Sequence, residues 1–205
     1  MESRAERNLV YFIGGVNGVG KSTFLKELTE SNPEFAILKG SSAFMDWLGI
    51  EQGDYDSLRA LPDDHKRKEF DKMMEKFLSE PSTDGKVLLV DAHYFHYKRG
   101  EMLDTTGDWI AMMDALFVVT ADSNDVFSRV SEDKKERDLF PVDADEDRQR
   151  HMLNQYLEGT INLARRLSET HNVPLIVLEN KQDDMESTVK DFLEAHAGII
   201  GKDEE

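Results

Sequence analysis

Gly14-Gly15-Val16-Asn17-Gly18-Val19-Gly20-Lys21-Ser22-Thr23 is the stretch of this chain whose residue types and spacing can do chemistry. From Gly15 it spells G-x-x-x-x-G-K-[ST], the phosphate-binding loop. Glycines let the backbone turn so that successive N–H groups point inward onto phosphate oxygens. In such a loop the lysine, here Lys21, reaches the β- and γ-phosphates, and the Ser22 hydroxyl sits on Mg²⁺. The helix that follows presents its positive end to the same phosphates. Gly15, Val16, Asn17, Gly18, Val19, Gly20, Lys21, Ser22 and Thr23 are therefore the expected binding residues of a nucleoside-triphosphate site.

A second chemical signal is Val87-Leu88-Leu89-Val90-Asp91, a buried strand in pattern that ends in a carboxylate. In a nucleotide enzyme an acid at that strand end commonly holds Mg²⁺ through water or orients the nucleophile. The plainer alternative is an aspartate that only caps the next segment. Residues 92–99, Ala-His-Tyr-Phe-His-Tyr-Lys-Arg, are rich in aromatic and basic groups that could line a base or phosphate pocket. His93 and His96 alone, without a third ligand nearby, do not predict a metal site. Farther on, Arg129 precedes a dense charged run at 131–138 that has no apolar face. Such a run is usually solvated surface; in a phosphate-transfer enzyme it is also where a lid carries its cations.

These groups need elements to position them, and the chain supplies alternating strands and helices. That order predicts a parallel sheet covered on both faces. Strands are expected at 9–13, 35–38, 87–91, 115–119 and 173–178, five in all. Helices are expected at 22–30, at 43–48 behind a Ser41 or Ser42 cap, and from Pro62 to about 79. Phe70, Met73, Met74, Phe77 and Leu78 form the apolar face of that third helix. Residues 49–61 read as a polar loop, and Trp109 to Met113 as a short helix. Asp122-Ser123-Asn124 caps the helix carrying Arg129. A long helix over 143–171 buries Leu153, Leu157, Ile161, Ala164 and Leu167, and Met185, Val189, Phe192 and Leu193 mark a closing helix. No internal repeat or low-complexity linker interrupts the pattern.

One motif misleads. Asn180-Lys181-Gln182-Asp183 matches the N-K-x-D guanine-reading motif of GTPases, and Asp104-Thr105-Thr106-Gly107 offers a D-x-x-G. The D-x-x-G should instead follow the strand ending at Asp91, where the chain reads Asp91-Ala92-His93-Tyr94. The N-K-x-D also falls after the last strand, leaving no room for the further strand and base-contacting loop of a GTPase.

Composition sets the outer bounds. At 205 residues one domain with a proper core is expected. Acidic residues outnumber basic ones by 42 to 25, for a formal charge of −17, which argues against a non-specific nucleic-acid partner. It also suits a salt-adapted cytoplasm, although lysine remains common. With no cysteine there is neither a disulfide nor a thiolate metal site. No apolar run is long enough to cross a bilayer, and residues 1–7 are too polar for a signal peptide, so a soluble cytoplasmic protein with no membrane partner is the expectation.

Taken together, the residues resemble the archaeal-type adenylate kinases, a short-lid branch of the P-loop nucleoside monophosphate kinases. The likeness runs from about residue 9 to 197 and rests on a combination. It joins the phosphate loop, Leu58-Arg59-Ala60-Leu61-Pro62, Val90-Asp91-Ala92-His93, the arginine-bearing run 129–138, and Val177-Leu178-Glu179-Asn180. The resemblance implies a three-layer α/β/α P-loop NTPase fold in one kinase domain over 1–205, with an acceptor-binding insertion at about 41–80 and a short lid at about 130–143. It implies Mg²⁺-dependent transfer from ATP to AMP, giving two ADP. Lys21, Asp91, Arg129 and Arg137 become the catalytic group, and Ser22 with Asp91 the metal site. Arg148 or Arg150 could add a contact from the long helix. Ser41, Arg59 and His93 would hold the acceptor, and backbone near Asn180 would read the adenine. The family includes trimers, so the resemblance leaves room for a homo-oligomer. Departures cluster on the acceptor side and the lid. Ser41-Ser42 replaces the family's Gly-Asp, residues 101–108 replace a Pro-Gly-Leu-Pro segment, and Lys135 stands for one lid arginine. The acceptor is therefore less constrained than the donor. A kinase for a sugar, a nucleoside or a coenzyme precursor is the main alternative, and a non-transferring ATP-binding switch the other.

Overall fold

The computed structural model describes residues 8–79, 85–98, 100–133, 139–181 and 184–201. Five parallel strands form the central sheet: β1 (Val10–Gly14), β2 (Phe35–Lys39), β3 (Val87–Asp91), β6 (Ala115–Thr120) and β7 (Leu175–Glu179), in the order β2-β3-β1-β6-β7. Their apolar runs are near-continuous because both faces are covered. Tyr11 and Ile13 of β1 face one core, with Phe24, Leu25 and Leu28 of α1 (Lys21–Ser31) and Phe192 of α7 (Met185–Ile200). Val10 and Phe12 face the other, with Phe44 of α2 (Gly40–Leu48) and Met73, Met74 and Leu78 of α4 (Asp63–Ser79). Period-two alternation along β1 thus feeds two hydrophobic layers, which is the three-layer α/β/α architecture expected. The 26-residue α6 (Glu146–His171) serves both, with Leu153 and Tyr156 in the first core and Leu163 and Ala164 in the second.

Several local expectations are corrected. Residues 49–61 contain a short helix, α3 (Tyr55–Ala60), whose start is capped by Asp54 accepting from the Ser57 amide at 3.0 Å. Ser41 and Ser42 lie inside α2 and cap nothing; the cap position is Lys39. Phe77 is 37% exposed and does not join Met73 and Met74 in the core. The short helix expected at Trp109 is present, as a 3-10 helix over Asp108–Met112. The long helix starts later than expected, behind Asp145, whose carboxylate accepts from the Arg148 amide at 2.9 Å.

The largest departure is a two-stranded antiparallel hairpin, β4 (Phe95–Lys98) and β5 (Glu101–Asp104), that follows Asp91. Tyr97 turns inward and packs at a tilt against Tyr156 of α6, ring centroids 4.5 Å apart, with its hydroxyl on Thr160. The hairpin turn is fastened by the Gly100 amide donating to the Leu139 carbonyl at 3.2 Å. The hairpin is therefore a fixed platform lying on α6. Among the described residues no helix is long and apolar enough to cross a membrane.

Candidate active site

The site forms where strand connections diverge at the carboxyl ends of the sheet. Register alone brings its floor together: Ile13 pairs with Asp91 of β3, and Gly14 with Val118 of β6. The phosphate loop leaves β1 at that point. Val16 and Val19 are buried and anchor the loop from below. Gly18 and Gly20 adopt φ of 91° and 87°, the left-handed region that only glycine enters without strain. A side chain at Gly18 would meet Val130 and Val126 of α5 (Ser123–Glu132) at 2.7 and 3.1 Å. Gly20 is the cap position of α1, with no side chain capping it, so the first amides of the helix are available to an anion.

Lys21 is buried, 8% exposed, and its ammonium is ion-paired with Asp91. Ser22 and Thr23 are exposed at the start of the helix. The two strongest chemical signals of the sequence thus meet: the loop lysine and the strand-end carboxylate neutralise each other. His93 lies next to them and donates from Nδ1 to the Gly15 carbonyl at 2.9 Å, which leaves Nε2 as the acceptor nitrogen. The ring is set among protein atoms yet keeps an exposed face on the cleft. Desolvation, then the Lys21 charge, lower its pKa below the ordinary histidine value, so it is neutral at neutral pH.

On the other wall Arg129, in the last turn of α5, donates from Nη1 to the Gly18 carbonyl at 3.3 Å. A groove of about 510 Å³ opens beside it, lined by Gly20, Thr23, Arg129, Asn180, Lys181 and Met185 among others. Asn180 has a role not legible in the sequence. It is buried, its side-chain amide donates to the Val19 carbonyl at 2.7 Å, and its backbone amide donates to Thr120 at 2.7 Å. Asn180 therefore braces the phosphate loop from the end of β7, and its side-chain donor is not free to read a base. Gln182 and Asp183, the rest of the N-K-x-D pattern, lie outside the described residues.

Other expected site residues are placed differently. Arg59 is 68% exposed and bonded to Asp56 of its own helix at 2.8 Å, and Ser41 is exposed on α2. Arg148 pairs with Asp143, and Arg150 with Glu146 while lying over the Phe127 ring, so both are engaged on the surface of α6. Arg137 and the remainder of 134–138 lie outside the described residues. Within residues 92–98, Tyr94 and Tyr97 point into the core while His93, His96 and Lys98 are exposed; Arg99 lies outside the described residues. No group of three or more metal-ligating His, Asp or Glu side chains occurs among the described residues.

Residues 14–148 match the family AAA_17, an AAA domain. The chain belongs to that family. The match begins at the phosphate loop and takes in Asp91 and Arg129, and it ends before Asn180, Lys181 and Met185 of the groove. No curated protein matches the AAA_17 chain in sequence. Among solved structures it is similar to the shikimate kinase of Bacteroides thetaiotaomicron, with TM-score 0.63, 13% identity, and coverage of 92% of this chain and 98% of that one. It is similar also to the thymidylate kinase of Candida albicans, with TM-score 0.56, 13% identity, and coverage of 97% and 94%. A sugar kinase from a Janibacter species has TM-score 0.53 at 13% identity, covering 91% and 93%. At that identity the likeness is one of fold, which the P-loop kinases share with this AAA_17 chain over nearly its whole length.

The braced loop carries its own test. A methyl group at Gly20 would collide with the Asn180 side-chain amide. Gly20→Ala is expected to break the brace, to cost about 1–2 kcal/mol in stability from the left-handed backbone, and to weaken nucleotide binding on the order of tenfold or more. Denaturant unfolding and ADP titration would check it; unchanged ADP affinity would show that the brace does not shape the loop.

Proposed function

We propose that the protein is an ATP-dependent phosphotransferase that phosphorylates a small acceptor, with a nucleoside monophosphate, AMP, as the first choice. The observation that carries the reading is the meeting of Lys21, Asp91 and Arg129 around a glycine-built phosphate cradle. Phosphoryl transfer asks for positioning and charge neutralisation rather than covalent help from the protein. The loop amides and Lys21 would hold the triphosphate, and Arg129 would lie on the side of the γ-phosphate. Ser22 and Asp91 fit Mg²⁺, whose charge would offset that of the β- and γ-oxygens when bound. Asp91 must first release Lys21, so ligand binding exchanges one ion pair for two sets of charged contacts. An acceptor oxygen attacks the γ-phosphorus, the bond to the β,γ-bridging oxygen breaks, and ADP leaves. An acceptor phosphate needs no base; an acceptor hydroxyl would give its proton to Asp91 or His93.

The groove by Arg129 and Met185 is the place for the nucleotide base, read by backbone near Lys181. A second reading, a kinase for a non-nucleotide hydroxyl acceptor, is favoured by one observation: Arg59, the expected phosphate anchor, is exposed and spent on Asp56. A coupled ADP-release assay with Mg·ATP over AMP, other monophosphates, adenosine, shikimate and simple sugars separates the two. Turnover with AMP far above adenosine supports the first choice. Turnover only with a hydroxyl acceptor moves the assignment to the second, and acceptor-independent binding without transfer would end the kinase reading.

A further inference from the structure

The hairpin after Asp91 carries chemistry that the donor site does not use. On β4, Tyr97 is buried against α6, which sends its neighbours His96 and Lys98 to the opposite, outward face. Neither has an ion-pair partner among the described residues, and Glu101, opposite Lys98 in the hairpin register, makes none with it. α4 meets the base of the hairpin, where Arg67 donates to the Thr106 carbonyl at 3.5 Å. Its Lys66 is only 20% exposed and pairs at 2.6 Å with Asp63, whose own side chain is 60% exposed. Asp63 lies within electrostatic reach of Lys66, Lys98 and His96, and His96 within reach of Lys66, Asp63, Lys98 and Arg59. Cations from three elements therefore converge around one carboxylate that water already reaches.

The cluster is continuous with the donor site. His93, bonded to the phosphate loop at Gly15, feels both Lys21 and His96. The charged groups Lys21, Lys66 and Lys98 are thus linked by two neutral imidazole rings, in a chain whose formal charge is −17. The platform is rigid enough to aim them. The Thr105 amide donates to Tyr94 at 3.0 Å, and Arg67 of α4 reaches the Thr106 carbonyl at 3.5 Å, closing the hairpin base onto α4.

We propose that Lys66, His96 and Lys98 form the seat of an anionic group on the acceptor, a phosphate monoester first, with Asp63 as the resident carboxylate that the ligand displaces. The seat rests on the phosphotransferase reading only for the name acceptor. Its charge arrives from α4 and the hairpin, beside Arg59 of α3, which lies within electrostatic reach of His96.

The test reads binding rather than turnover. The protein is saturated with Mg·ADP, which fills the phosphate loop, and titrated calorimetrically with AMP, inorganic phosphate and adenosine. Both anions are expected to bind and adenosine to bind at least tenfold more weakly than AMP. Lys66→Gln/Lys98→Gln should weaken both anions by about tenfold to a hundredfold, the loss of two charge-assisted contacts. Lys66→Arg/Lys98→Arg should keep most of the affinity, and ADP affinity should stay unchanged in both variants, reporting an intact fold. Anion binding unchanged in the glutamine variant, or no binding of either anion by the ADP-loaded protein, overturns the seat. Anion binding without transfer activity would keep the seat and end the kinase reading; transfer to a neutral acceptor, indifferent to both variants, would do the reverse.

Discussion

Lys21→Ala is expected to lower phosphoryl transfer on the order of 10³-fold or more while the protein stays folded. The lysine is buried, but what it touches is the Asp91 carboxylate on the floor of the cleft and not the hydrophobic layers. Removing it strands Asp91, 16% exposed, without its counter-charge. A loss of activity could therefore come from a missing phosphate ligand or from a repelled one, since an unpaired carboxylate faces the incoming anion. The double variant Lys21→Ala/Asp91→Ala separates these. If the lysine acts on phosphate, ADP binding stays weak in the double variant; if the stranded carboxylate only repels the anion, ADP binding recovers, and turnover is lost in both cases because Asp91 is itself at the Mg²⁺ position. Single-turnover rates and ADP titrations on both variants check it, with far-ultraviolet circular dichroism to confirm folding. Wild-type-like turnover in Lys21→Ala would end the phosphate-loop reading.

That prediction rests on the part of the molecule most legible in the sequence. The loop motif, the strand-end Asp91 and the alternation of apolar strands with amphipathic helices are local patterns, and the parallel sheet follows from them by topology. The pairing of Lys21 with Asp91 adds register, which no local pattern states: Asp91 reaches the loop because Ile13 is its neighbour across the sheet. The hairpin was hidden for a different reason. Phe95-His96-Tyr97-Lys98 does alternate, but it is four residues long and follows directly on a strand end, so its aromatic and basic types suggested a pocket lining. Only the packing of Tyr97 on Tyr156 sorts the inward ring from the outward cations. The pairing of Arg59 with Asp56, one turn away, was hidden because its position before Leu61-Pro62 says nothing of the helix it sits on. Backbone near Asn180 is expected to read the adenine; that its side chain is buried beneath the loop, where the amide acts as a brace, no local pattern states.

Arg129→Ala is expected to cut turnover on the order of 10³-fold, with a much smaller change in ATP affinity. In the structure the guanidinium rests on the Gly18 carbonyl at 3.3 Å, a long contact to a neutral acceptor that is easily exchanged. Charged phosphate oxygens would take it in a shorter, bidentate arrangement, and the gain grows as charge builds on the transferring group. An interaction that strengthens toward the transition state appears in kcat, while one equally strong in both states appears in KM. Arg129 could also serve the second way, because it lines the groove beside Gly20 and Asn180, where a base would stack. Arg129→Lys decides between these roles. Lysine keeps the charge but loses both the fork and the planar stacking surface, so a transition-state role predicts partial recovery of kcat and a stacking role predicts none. Steady-state kinetics of the alanine and lysine variants supply the measurement. A change confined to KM in both would make Arg129 a binding group and leave Lys134, Lys135 and Arg137 as the candidates for the catalytic charge.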